Sequence, residues 1–143
     1  MLENDQTQTN RDIYNKLEPS AKEWIDNETK IIDSELKKWK ILIALALLSP
    51  LFLLLLKPVN ESIGMWVQRS GAIIVVLALL AEIKAISAER LAITSEMSFL
   101  YCNIYLNNKY KKKVKIVTFA TYFVVAIGTL IWGYGDILVS FFH

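Results

Sequence analysis

Residues 116–136 read IVTFATYFVVAIGTLIWGYGD, and the first nineteen of them carry no charged side chain. As a helix those nineteen rise about 28 Å, close to the ~30 Å of a bilayer's hydrocarbon layer. A second uncharged run, 41–56, has about the same reach, and a third, 71–81, is shorter. To cross, the third must extend over 65–86, which places Arg69 near one end and Glu82 near the other. The chain has 143 residues, of which 54% are hydrophobic and 21% charged; that is about one domain long and too apolar for an ordinary water-soluble one. The expected fold is therefore all-α and polytopic, with three transmembrane helices.

Charge sets the topology, because Lys and Arg near membrane segments concentrate on the cytoplasmic side. Five lie in 20–40 (Lys22, Lys30, Lys37, Lys38, Lys40) and seven in 84–115 (Lys84, Arg90, Lys109, Lys111, Lys112, Lys113, Lys115). Against these twelve, 57–70 holds only Lys57 and Arg69, and nothing basic follows Tyr134. Three crossings with the amino terminus inside and the carboxyl terminus outside put both rich regions on one side. No leader pattern opens the chain, so the run 41–56 is expected to serve as its own insertion signal.

The expected layout is a flexible polar stretch 1–19, a cytoplasmic helix 20–40, crossings at 41–57, 65–86 and 114–136, and a cytoplasmic amphipathic helix with a Lys-rich turn over 87–113. Ser20 and Glu23 have the spacing of a capping box. Ala21, Trp24, Ile25, Ile32, Leu36 and Trp39 fall on one side of the helix that follows, which continues into the first crossing through Pro50 and stops at Lys57-Pro58. Ile83, Ile86, Ile93, Met97, Leu100 and Ile104 recur at helical spacing. One straight helix over 83–106 would rise about 36 Å, too far for 107–114 to return. The segment must bend, lie on the membrane or form a hairpin. Its apolar face has three candidate partners: the helix from Ser20, another subunit, or lipid.

The letters GYGD at 133–136 are those of a potassium-channel selectivity filter. A filter needs four copies of a re-entrant loop with a full inner helix behind it, and here seven residues follow. Ile131 and Trp132 also stand where the filter pattern has threonine and valine. As the foot of a crossing, each letter has a use. Trp132 and Tyr134 suit an interfacial aromatic belt. Thr129 and Gly133 make a small-xxx-small pair, and Thr121, Gly128 and Gly135 recur every seven residues, so a helix face is cut back for close approach of another helix, in the same subunit or a neighbour.

Ionisable groups near hydrocarbon are costly unless paired, wet or within reach of the interface. Arg69 and Asp136 come at the same side of the membrane, and either form an ion pair clamping the second and third crossings or each snorkel to water. Glu82, at the depth of Lys84 and Lys40, is either paired or part of a wet pathway. The run Lys109, Lys111, Lys112, Lys113 and Lys115 could hold anionic lipid head groups, at about 1 kcal/mol per cation, or a nucleotide messenger. Without a second basic patch to make a groove it reads first as a topological anchor, and no specific nucleic-acid binding is expected.

Catalysis is not expected, nor any cofactor or metal. The lone His is His143, and no metal-binding spacing, phosphate-cradling loop or serine elbow occurs. Cys102 has no partner for a disulfide.

WVQRSG at 66–71 together with GTLIWGYGD at 128–136 resembles a pattern in uncharacterised small bacterial inner-membrane proteins, which implies a bacterial inner-membrane location. The layout is similar to that of membrane effectors of phage defence. The expected function is a non-enzymatic inner-membrane protein that forms a homo-oligomer through its third helix. It would perturb membrane integrity or ion flow, as a pore, once a cytoplasmic protein or nucleotide engages its helices. The alternative is a membrane adaptor or immunity-type protein that anchors or blocks a partner, for which the acidic 1–39 segment would be the docking surface; a small oligomeric transporter comes third.

Overall fold

A computed structural model describes residues 10–93 and 100–141, and Met97 and His143 lie outside them. Four helices follow in order: α1 (Asn10–Asn15), α2 (Pro19–Leu55), α3 (Ile63–Ile93) and α4 (Leu100–Ser140). The last three are long and apolar enough to cross a membrane. With 37, 31 and 41 residues they rise about 55, 46 and 61 Å, so each outruns a ~30 Å hydrocarbon layer. All three keep the surplus at the Lys-rich end.

The start of α2 is not the expected capping box. Pro19 occupies the first turn, where its fixed φ suits the helix and its missing N–H costs nothing. The cap position therefore falls on Glu18, extended at φ −63° and ψ 155° and without a side-chain cap bond, and Ser20 is already inside the helix. Part of the stretch expected to be loose is ordered too: α1 buries Ile13, and the Tyr14 ring lies 5.6 Å from that of Tyr105 on α4. The Tyr14 hydroxyl donates to both Asp26 carboxylate oxygens, at 3.0 and 3.1 Å.

Through Pro50, α2 continues as expected. Proline cannot donate to the Ala46 carbonyl one turn back. The Ser49 hydroxyl donates to that oxygen instead, at 2.8 Å. The helix closes before Lys57-Pro58 with Leu56 N–H on the Leu53 carbonyl at 3.1 Å. That carbonyl also accepts the Trp66 indole N–H, which ties α3 to the end of α2. Ser62 caps α3, its hydroxyl accepting the Met65 N–H at 3.3 Å.

The segment 87–113 is not a separate amphipathic helix. α3 runs on to Ile93 without a break, α4 begins at Leu100, and Lys109 to Lys115 lie within the body of α4 rather than in a turn. Of the proposed routes back to the membrane, this is the hairpin. Nor does the isoleucine stripe make the core: Ile83, Ile86, Ile93, Leu100 and Ile104 are all exposed. The buried face of α3 is Gly71, Ile74, Ala78, Ala81, Ala85, Ala88 and Ala92, alternating steps of three and four. Small side chains allow two backbones to approach, and that gain in contact outweighs the larger area of an isoleucine.

The core is continuous in chain but divided in space. At the Lys-rich end, Ala21, Ile25, Ile32 and Leu36 of α2 meet the upper alanines of α3 and Cys102, Leu106, Tyr110, Val114 and Val117 of α4, with Trp24 and Trp39 against them. The isoleucine stripe itself has no partner within the described residues; α2 packs instead on the alanine face of α3 and on α4. A second cluster, Ala46, Ile74, Ala78 and Val124, lies within the apolar runs.

Candidate functional site

The tightest packing in the molecule is the antiparallel seam of α3 and α4. On α4 the buried positions are Cys102, Leu106, Tyr110, Val114, Val117, Thr121, Val124, Gly128 and Gly135, in steps that sum to seven from Tyr110 onward. A seven-residue repeat keeps two helices in register as they wind about each other. A Cβ added at Gly71 would lie 2.3 Å from the Trp132 backbone nitrogen and 2.7 Å from the Gly128 carbonyl oxygen. Added at Gly128 it would lie 2.9 Å from Ile74 Cγ2, and at Gly135 3.0 Å from the Gln68 Cα. Gly128 and Gly135 therefore meet α3 of the same subunit, while Thr121 accepts a hydrogen bond from Trp39 of α2. Gly71 was singled out in the sequence only as part of a motif; its fit into the α3 three-four rhythm is the signal that would have marked it.

The other small pair points elsewhere. A Cβ at Gly133 would meet nothing within 4 Å, Thr129 is exposed with its hydroxyl on the Val125 carbonyl at 2.8 Å, and Trp132 and Tyr134 beside them are 55% and 58% exposed. The two small-residue patterns of α4 thus occupy different faces, one filled within the chain and one open.

The Arg69–Asp136 pair does not form. Arg69 Nη1 lies 2.5 Å from Glu61 Oε2, and its guanidinium sits 5.6 Å from the Trp66 ring centre. Asp136 instead accepts the N–H of Ile137 at 2.8 Å, and its backbone crowds Gly64. Glu61 wins because the loop 56–62 folds back over the start of α3: the Lys57 ammonium donates to the Glu61 and Pro58 carbonyls, at 2.5 and 3.2 Å.

At the Lys-rich end, Glu82 has no ion pair among the described residues. Lys84, one of the two lysines at its depth, reaches across to Glu35 of α2 at 3.3 Å, and Lys38 approaches the same carboxylate at 2.5 Å. These ammonium groups hold the Glu35 carboxyl below its ordinary range, the Lys38 bond contributing most, against partial desolvation. One turn deeper, the Trp39 indole donates to the Thr121 hydroxyl at 2.8 Å, and that hydroxyl donates to the Val117 carbonyl at 2.9 Å. This bond joins α2 to α4 where the two core clusters meet.

The Lys run does not act as one unit. Lys109 lies 5.5 Å from the rings of both Tyr105 and Tyr110, and Lys113 lies 5.4 Å from Tyr110 and 3.7 Å from Asp33. Lys111 and Lys115 flank a separate α3–α4 groove with Glu89, Phe119 and Tyr122. Tyr110 is fully buried, and its hydroxyl has no hydrogen-bond partner among the described residues; burial first, and the nearby Asp33 carboxylate second, push its pKa well above the ordinary phenol value.

Among the described residues, no three His, Cys, Asp or Glu side chains are grouped so as to hold a metal ion. Compared with known proteins, the chain matches no protein-family model, no curated protein and no solved structure.

Proposed function

We propose that this chain is a non-enzymatic, multi-pass protein of a bacterial inner membrane, amino terminus in the cytoplasm and carboxyl terminus in the periplasm. Engagement of its cytoplasmic bundle would alter how its membrane half associates, and so perturb membrane integrity or ion flow, as phage-defence effectors do. The observation that supports this reading is continuity: α2, α3 and α4 each run unbroken from the polar bundle into an apolar run. A displacement of the bundle is carried along stiff helices to the bilayer, with no flexible linker to absorb it. Three helices packed on one another enclose no water path, so perturbation requires several subunits. Their contact is assigned to the open face of Thr129, Gly133, Trp132 and Tyr134.

A second reading is favoured by one observation. The heptad face of Thr121, Gly128 and Gly135, the obvious surface for self-association, is already occupied within the chain, by α3 at the glycines and by Trp39 of α2 at Thr121. A subunit so satisfied suits a monomeric adaptor or immunity-type protein, with its acidic amino-terminal segment as the docking surface. Subunit mass in detergent, measured with membrane potential during induced expression, separates the two. The effector reading expects an oligomer and depolarised cells. A monomer with unchanged potential would replace it with the adaptor.

A further inference from the structure

The basic run was set aside as a ligand site because the sequence offers no second basic patch to face it. Folding supplies one. Lys37 and Lys40 of α2 and Lys113 of α4 line a single groove of about 420 Å³, with Asp33 at its side and the apolar Leu36 and Val117 lining it. Among the described residues, Lys113 is the one of these three lysines paired with Asp33. That carboxylate is a weak competitor: the Asp33–Lys113 separation is 3.7 Å and the two side chains are 52% and 62% exposed, so water screens the pair.

The depth of the groove selects the ligand. Lys40 is the last residue before the uncharged run 41–56, and Val117 lies one residue into the run from 116. The Trp39–Thr121 bond sets Lys40 level with the first turns of the apolar run of α4. Lys37 and Lys40 thus stand in the last turn of α2 before its apolar run, the level at which lipid phosphates are expected. The α3–α4 groove is a poorer anion site, because Lys111 and Lys115 share it with Glu89.

We propose that this α2–α4 groove binds an anionic phospholipid, its phosphate held by Lys37, Lys40 and Lys113. The inference needs the bilayer of the reading above but not the effector role, and its failure leaves that role intact.

Native mass spectrometry of the full chain in detergent, titrated with phosphatidylglycerol, phosphatidylcholine or inorganic phosphate, tests it. Phosphatidylglycerol is expected to bind at least about tenfold more tightly than phosphatidylcholine, the scale that a few interfacial cations supply. The triple variant Lys37→Gln/Lys40→Gln/Lys113→Gln should lose that preference. Lys111→Gln/Lys112→Gln/Lys115→Gln, which removes the same charge from the same end, should keep it. Asp33→Asn should strengthen binding of phosphatidylglycerol, and this single exposed change guards against a triple variant that fails to fold. Equal losses in the two triple variants, no preference in the native chain, weaker binding in Asp33→Asn, or displacement of the lipid by an equal concentration of inorganic phosphate would each overturn the proposal.

Discussion

Gly71 and Gly133 are both glycines inside long helices, and their surroundings are opposite. A methyl group at Gly71 would collide with backbone atoms of Trp132 and Gly128, which cannot move aside as a flexible side chain would, whereas at Gly133 it would find open space. Gly71→Ala should therefore cost about 1–3 kcal/mol, as overpacking does, while Gly133→Ala should leave stability unchanged or raise it by up to about 1 kcal/mol through helix propensity. Chemical unfolding in detergent followed by circular dichroism reads both, and equal behaviour would mean that the seam is not closed at Gly71. Tyr110 gives a second contrast. Its ring fills the core, but its buried hydroxyl lacks a hydrogen-bond partner among the described residues. Tyr110→Phe should be neutral or stabilising by about 1 kcal/mol, and Tyr110→Ala destabilising by about 3–5 kcal/mol in the same assay. The heptad glycines of α4 were legible in the sequence because spacing alone reveals a shared face. The partner of Arg69 was not, because it depends on how a short loop folds back, and Glu61 is close in sequence where Asp136 only shares a side of the membrane.

Between α2 and α3 the main polar brace is Glu35, shared by Lys38 and Lys84. Because its folded pKa lies below the ordinary 4.5, the carboxylate adds stability that is fully present above about pH 4.5 and is lost as pH falls through the depressed folded value. Glu35→Gln should cost about 1 kcal/mol at neutral pH, and the gap between native and variant proteins should close in acid; a gap that stayed constant down to pH 3 would show that the charge is not what matters. The α3 seam makes a prediction for the element as a whole. Ala81→Leu or Ala85→Leu would drive a branched side chain between two close backbones and lower the unfolding midpoint, whereas Ile83→Leu on the exposed side would not. The sequence showed α2 well, since its apolar residues are large and its breaks are prolines. It misled at α3, where attention to large apolar residues picked out the exposed isoleucines. The alanines beside them carry little hydrophobic signal, and their importance comes from the partner that they admit.

For the molecule as a whole, the three long apolar helices were legible because the hydrocarbon layer sets a length that composition alone can meet. The divided core was not, since it depends on which faces meet along about 50 Å of helix. The proposed orientation can be tested with single cysteines in a Cys102→Ser background: Asn60→Cys should react with a membrane-impermeant maleimide on intact cells, and Lys112→Cys only after the cells are opened. The reverse pattern would invert the topology. If subunits associate through the open face of α4, Thr129→Leu with Gly133→Leu should lower the oligomer mass while leaving the unfolding midpoint nearly unchanged. The alternation of three and four along the α3 seam also limits how this architecture can change over evolution. A single inserted residue in either arm would rotate everything beyond it by about 100° and turn the alanines away from α4. Insertions and deletions in the α3–α4 hairpin should therefore be tolerated as matched seven-residue blocks, one in each arm, each pair moving the hairpin tip about 10 Å along the membrane normal. Related chains should differ in the height of their hairpins by whole steps and seldom by fractions of one.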